Sequence, residues 1–274
     1  MATMSTPVRS SDARSVLVLA ALSGAVVGAL GGLIGLGGAE FRLPLLIALF
    51  GLVAIEAVIV NKAISLVVVT SALLFRSQAV PLDALLSHWA IAVNLLAGSL
   101  LGAWWGASWV TRAPKASLHR WMAVLLVVIA AALLLNHALP VAGASGLEDS
   151  ARWVAGVAAG FGIGIVASLL GVAGGALLIP TIVLLFGDDI KLAGSLSLVV
   201  SLPTMIVGFT RYSRDGSFAV LQARRPTVLA MAAGSVLGTF IGAALLGVVP
   251  GHVLLPMLAM LLVASAWKIW RHDR

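Results

Sequence analysis

Apolar residues along this chain come in long unbroken runs, not in the strict alternation of a half-buried strand. The runs fall at about 15–36, 39–50, 54–75, 84–110 and 118–139, then at about 153–173, 176–186, 192–210, 226–247 and 253–270. A helix that crosses a bilayer needs about 20 apolar residues. The runs 39–50 and 176–186 are too short. Twelve residues of helix span about 18 Å against a hydrocarbon core of about 30 Å. Each short run follows a glycine cluster, GGLIGLGG at 31–38 and GVAGG at 171–175. The pattern predicts a long helix, a Gly-rich break and a short helix, forming either a re-entrant hairpin or a broken helix that ends inside the membrane.

The pattern occurs twice. A shift that carries residue 35 onto residue 171 aligns the halves without a gap. Gly24, Gly28, Gly35, Gly38, Pro44 and Gly51 fall on Gly160, Gly164, Gly171, Gly174, Pro180 and Gly187. Later, Ala97-Gly98-Ser99 falls on Ala233-Gly234-Ser235, and Pro114 on Pro250. A repeat of half the chain is far longer than a solenoid unit, and in an apolar chain it points to a transporter built from two related halves.

Composition narrows the class. Apolar residues make up 61% and charged residues 10%, against roughly 25% charged in a soluble domain. Such a chain cannot cover a water-exposed surface. There is no cysteine, which excludes disulfides, thiolate metal sites and cysteine nucleophiles. The net charge of +7 is not a nucleic-acid footprint, because the basic residues sit mainly in loops and tails, as expected beside anionic lipid. They cluster at Arg9/Arg14, Arg112/Lys115/Arg120, Arg211/Arg214/Arg224/Arg225 and Lys268/Arg271/Arg274, whereas acidic residues cluster at Glu148/Asp149 and Asp188/Asp189. If each long–short pair leaves the side unchanged, all basic clusters share one face, and the positive-inside rule makes that face, with both termini, cytoplasmic. Arg9 and Arg14 before an apolar run resemble a signal peptide, but that run belongs to the repeat and is expected to be retained. Equivalent loops carry opposed charge: 110–120 is basic and its partner 247–252 has no Lys or Arg. That is what inverted topology predicts; the alternative is random drift of loops around a parallel repeat.

The expected fold is an all-α polytopic membrane protein of two inverted-topology repeats, each with a long helix, a Gly-rich break, a short half-helix and three further spanning helices. The expected parts are a cytoplasmic tail at 1–13, a first repeat at 14–139, an extracytoplasmic linker at 140–152, a second repeat at 153–270 and a cytoplasmic tail at 271–274.

Candidate chemistry concentrates at the breaks. A helix that starts inside the membrane exposes its first free N–H groups there, with the positive end of its dipole, and so offers an anion site. This singles out Gly35, Gly37 and Gly38 in the first half and Gly171, Gly174 and Gly175 in the second. Pro44 and Pro180 free a carbonyl about four residues back and reinforce the irregularity as helix-break residues. Gly98/Gly102/Gly106 and Gly234/Gly238/Gly242 form small-residue faces for close helix packing. Charges inside spans are functional by default. Arg42 and Lys62 are the cationic candidates and Glu40 is the coupling-proton candidate; alternatively they lie near the surface, pair with other helices, or snorkel. Asn61 and Ser65 share one helix face, as do their mates Ser197 and Ser201, and could line a path or simply tie helices together. Five histidines without an HxxxH or a carboxylate cluster give no metal site. No cofactor is expected.

Residues 24–51 and 160–187 resemble the signature of the TauE/SafE family of sulfite and organosulfonate exporters: GALGGLIGLGGAEFRLPLLIALFG at 28–51 and GIVASLLGVAGGALLIPTIVLLFG at 164–187. VNKAIS at 60–65 resembles the Asn-Lys element of some members, and the likeness covers about 15–270. Ala39-Glu40-Phe41-Arg42 departs from the usual pattern after the first glycine pair. The resemblance implies an anion permease of the bacterial cytoplasmic (inner) membrane, moving sulfite, sulfonates or related small oxyanions outward. Its partners are then the anion and the lipid bilayer, with a homodimer left open and no nucleic acid. The alternatives are an importer of sulfate or thiosulfate, and a non-transporting membrane subunit. A membrane enzyme lacks the clustered Asp, His, Glu or Cys it would need.

Overall fold

A computed structural model of the chain describes residues 10–110, 148–213 and 219–250, with the isolated positions 124, 127, 131, 253, 256, 260, 263 and 267. Apart from those positions, the expected spans 118–139 and 253–270 and the basic clusters at 112–120 and 268–274 lie outside the described residues. The rest forms α1 (Ser10–Ile34), α2 (Ala39–Ala48), α3 (Ala54–Arg76), α4 (Leu82–Ser87), α5 (Trp89–Val110), α6 (Asp149–Leu170), α7 (Gly175–Phe186), α8 (Ile190–Ser213), α9 (Ala219–Ala223) and α10 (Arg225–Leu245), with no strand among the described residues. α1, α3, α5, α6, α8 and α10 are long and apolar enough to cross a membrane. The chain is an all-α polytopic membrane protein. The run 84–110 divides at His88, whose ring Nδ1 lies 2.9 Å from the Ala84 carbonyl oxygen.

The glycine clusters make tight reversals. Gly35, Gly38, Gly171 and Gly174 have φ of 93°, 68°, 63° and 76°, which glycine alone adopts freely. A Cβ at Gly38 would lie 2.6 Å from the Val27 carbonyl oxygen, and one at Gly174 would lie 3.0 Å from Ile163 Cγ2. Val27 and Ile163 are equivalent under the repeat. Each short helix therefore starts beside the last turns of the preceding long helix and runs back along it. At the far end of α2, Phe50 and Leu52 meet Arg224 and Met231 of the α10 start. At the far end of α7, Phe186 lies 5.6 Å from Trp153, at the start of α6. α1–α2 and α6–α7 are thus hairpins that return to the end they left. Pro44 and Pro180 do not end their helices, which run through them; the breaks lie wholly in the glycines.

Glycine stripes set the helix pairs. Gly24, Gly28 and Gly32 of α1 meet the carbonyls of Met231, Ser235 and Thr239 on α10, while Gly234, Gly238 and Gly242 meet those of Ala21, Ala25 and Ala29. Gly98 and Gly102 of α5 meet Val157 and Phe161 of α6 in the same way. With no Cβ between them, the backbones touch, which is how helices adhere where lipid removes the hydrophobic driving force. Both registers ascend together, so α1 and α10 are parallel, as are α5 and α6. At the centre α3 packs on α8 in the opposite sense: Lys62 lies by Gly208 and Arg76 by Lys191 and Ser195. Arg76 also reaches Gly32 and Leu33 at the end of α1, so α3 runs with α1. Gly208 approaches Ser168 near the end of α6, so α8 runs with α6. One end of the bundle carries Arg224 and Arg225, and the other carries Asp188 and Asp189.

Candidate functional site

The two short helices begin without side-chain caps, at Gly38 and Gly174, which leaves first-turn N–H groups free of intrahelical partners. A Cβ at Gly175 would lie 3.1 Å from Leu36 Cα and 3.3 Å from the Gly35 carbonyl oxygen. The start of α7 therefore abuts the break before α2.

Side chains from α2, α3, α8 and α10 converge here. Arg42, fully buried, donates from Nη1 to Ser65 Oγ at 2.9 Å and, at longer range, to Asn61 Oδ1 at 3.4 Å. Its Nη2 donates to the Gly37 carbonyl at 3.5 Å and to Ser235 Oγ at 3.4 Å. Asn61 Nδ2 donates to the carbonyls of Ala39 at 2.9 Å and Gly171 at 3.3 Å. Ser197 Oγ donates to the carbonyls of Gly35 at 2.9 Å and Gly194 at 2.8 Å. Asn61 and Ser197 are repeat mates, and so are Gly171 and Gly35. The central helix of each half thus holds a break carbonyl of the other half.

Arg42, Asn61, Ser65, Gly37 and Gly171 accordingly form one bonded cluster, with Ser197 and Gly35 beside it. Lys62 faces elsewhere. It follows Asn61 by one residue, about 100° around the helix, and points at α6 and α8. A Cβ at Gly208 would lie 2.6 Å from its Nζ and 3.3 Å from Ser168 Oγ. It does not snorkel, being 1% exposed. Ser201, the mate of Ser65, is fully buried and its hydroxyl has no hydrogen-bond partner. The same holds for both carboxylate oxygens of Glu40. The groups that act on that carboxylate, short of hydrogen-bond geometry, are its own backbone N–H, that of Ala176 and the Arg42 side chain.

Arg76 was legible only as a charge closing an apolar run. The fold buries it at 1% exposure. It donates to the carbonyls of Gly32 at 2.9 Å, Leu33 at 3.0 Å and Lys191 at 2.9 Å, and from Nε to Ser195 Oγ at 3.1 Å. It caps the last turn of α1, where free carbonyls and the dipole favour a cation. Ser235 is the other residue the sequence did not mark; it sits in a glycine stripe that reads as packing alone.

Among the described residues the buried charges are Arg42, Lys62 and Arg76 against the one carboxylate of Glu40. No group of three metal-ligating side chains occurs among them. At the aspartate end, Asp188 lies 3.6 Å from His88 Nε2. Burial raises its carboxyl above the ordinary value, with His88 opposing and Asp189 adding to the shift.

A fully buried guanidinium and two uncapped helix starts meeting inside an apolar bundle suit an anion, not a nucleotide or a metal. Neither curated proteins nor solved structures show a match to the chain. The family model for sulfite exporter TauE/SafE matches residues 19–269. With a match over nearly its whole length, the chain belongs to the TauE/SafE family of membrane transporters and is not an enzyme.

Proposed function

We propose that the protein is a secondary transporter that exports small sulfur-containing oxyanions, sulfite or an organosulfonate, by alternating access. The observation that carries this reading is the meeting of two uncapped helix starts beside the fully buried Arg42. Positive helix ends and a guanidinium inside an apolar bundle favour an anionic substrate. The substrate lies between the starts of α2 and α7. Gly35, Gly37, Gly38, Gly171, Gly174 and Gly175 bring the backbone to it, Arg42 supplies charge, and Asn61, Ser65, Ser197 and Ser201 supply hydrogen bonds; Lys62, which faces α6 and α8, lies off this site. Glu40 carries the coupling proton. Repeat mates α1 and α6, α3 and α8, and α5 and α10 run in opposite senses, which supports an inverted repeat whose halves exchange conformations to open one end and then the other. The arginine end then faces the cytoplasm of a bacterial inner membrane. Direction follows from the gradients.

The test is flux of labelled sulfite and taurine in proteoliposomes. Wild type should move at least one of them. Arg42→Ala and the bulky Gly38→Val and Gly174→Val should each lower the rate tenfold or more, the scale of about 1.4 kcal/mol. Flux that survives all three substitutions would remove the site assignment.

A further inference from the structure

The place where two helix starts should hold a substrate anion already has a negative group in it. Glu40 is the second residue of α2, beside the N-terminal end of its helix dipole. Its carboxylate is wholly buried. The start of α7 abuts the break before α2, where a Cβ at Gly175 would lie 3.3 Å from the Gly35 carbonyl oxygen. Residue 176, next to Gly175, is the repeat mate of residue 40, so the carboxylate is carried by one half at the place where equivalent helix starts of both halves meet. The second half has no counterpart, since position 176 carries only a methyl group. Yet the fit is incomplete. Neither carboxylate oxygen reaches a hydrogen-bond partner, and Arg42 Nε, two residues on in the chain, is also without one. Arg42 spends its other nitrogens on Ser65, Asn61, Gly37 and Ser235 and does not close on Glu40. A buried carboxylate without hydrogen bonds is costly to a fold, and such exceptions need a reason.

We propose that Glu40 is a tethered occupant of the anion site: its carboxylate rests at the paired helix starts when the site is empty and is displaced by the substrate oxyanion. The proposal rests on the reading of the protein as an oxyanion transporter and deepens it. A carboxylate and a sulfite or sulfonate headgroup present the same chemistry to an N–H pair, namely oxygens that carry negative charge and accept hydrogen bonds. Tethering makes the local concentration of the carboxylate high, so it competes with free anion and is pushed aside only by a ligand with more oxygens to share. The resting site is thereby closed to small leak anions, and the substrate pays for its own admission through the extra contacts it makes.

The experiment is anion binding by the purified full chain in detergent, read by titration calorimetry and by thermal stabilisation. The probes are sulfite and acetate, with chloride as control. Glu40→Gln keeps the shape of the side chain and removes the charge. Glu40→Ala vacates the site. If the tether holds the site in nine of ten molecules, its removal tightens apparent sulfite affinity about tenfold. Glu40→Ala should in addition gain stabilisation by acetate that wild type lacks, because free carboxylate refills the vacated place. Should Glu40→Gln fold poorly, the acetate response of Glu40→Ala decides alone. Unchanged or weakened sulfite binding in Glu40→Gln, with no acetate response in Glu40→Ala, overturns the tether. If wild type still transports sulfite in that case, the transporter reading stands without it. If no anion binds any of the three proteins, both fall together.

Discussion

Ser65 and Ser201 occupy equivalent positions and differ in one respect that separates packing from binding. Ser65 Oγ takes a 2.9 Å hydrogen bond from Arg42, and Ser201 Oγ takes none. Removing Ser65 Oγ strips a buried guanidinium of its shortest contact, so Ser65→Ala should destabilise the folded protein by about 1–3 kcal/mol. Ser201→Ala deletes a buried hydroxyl that has no partner in the resting fold, so stability should hold or rise, by up to about 1–3 kcal/mol. If Ser201 meets the substrate, its alanine variant should nonetheless transport more slowly. Thermal stability in detergent and flux in proteoliposomes, measured on both variants, separate the roles. A Ser201→Ala protein with wild-type flux would take this residue out of the site. The sequence marked both serines through their spacing. It could not tell which would be bonded, because that depends on Arg42 arriving from another helix.

At the scale of the element, glycine works in two ways. In the breaks it supplies backbone angles, and in α1, α5, α6 and α10 it supplies contact. The contact role has an internal control on α5 and α6. A Cβ at Gly102 would strike the Phe161 carbonyl oxygen, whereas a Cβ at Gly162 meets nothing within 4 Å. Gly102→Ala should therefore force the helices apart and cost about 1–3 kcal/mol. Gly162→Ala should be neutral or stabilising by up to about 1 kcal/mol, the helix-propensity difference. Melting temperatures of the two variants check the contrast, and equal losses would mean that the stripe does not set this interface. The stripe itself was legible as small residues four apart. Its partner was not, because spacing names a face but not what lies against it. Arg76 is the sharper case: its long side chain leaves the end of α3 and serves the carbonyl ends of α1 and the start of α8. Nothing local to residues 70–80 predicts that.

Across the whole molecule, the absence of cysteine allows single cysteines to report which end faces which side. Ser87 and Asp189 are exposed at the aspartate end, and Gln222 at the arginine end. With the arginine end cytoplasmic, Ser87→Cys and Asp189→Cys should react with an impermeant maleimide in intact cells, and Gln222→Cys only after permeabilisation. Labelling of all three from outside would refute the opposed ends. The helix pairs also come in equivalents: α1 on α10 matches α5 on α6, α2 on α3 matches α7 on α8, and α3 on α8 matches itself. A contact set that maps onto itself when the halves are exchanged places α3 and α8 at the centre, where the breaks meet.

The sequence by itself determined the class and the punctuation: apolar runs of spanning length, two runs too short to span, glycines before them, and a duplication that pairs every break with its mate. These are local properties, written in composition and period, and helices in lipid follow them because each must satisfy its own backbone. The tertiary structure alone decided that the long–short pairs turn back as hairpins, that Arg42 joins Asn61 and Ser65 while Lys62 faces away, and that Arg76 is buried. It also left the one buried carboxylate among the described residues, Glu40, without a hydrogen-bond partner. Those outcomes depend on which side chains meet across helices far apart in sequence, and an asymmetric residue such as Glu40 takes its meaning from the half that lacks it.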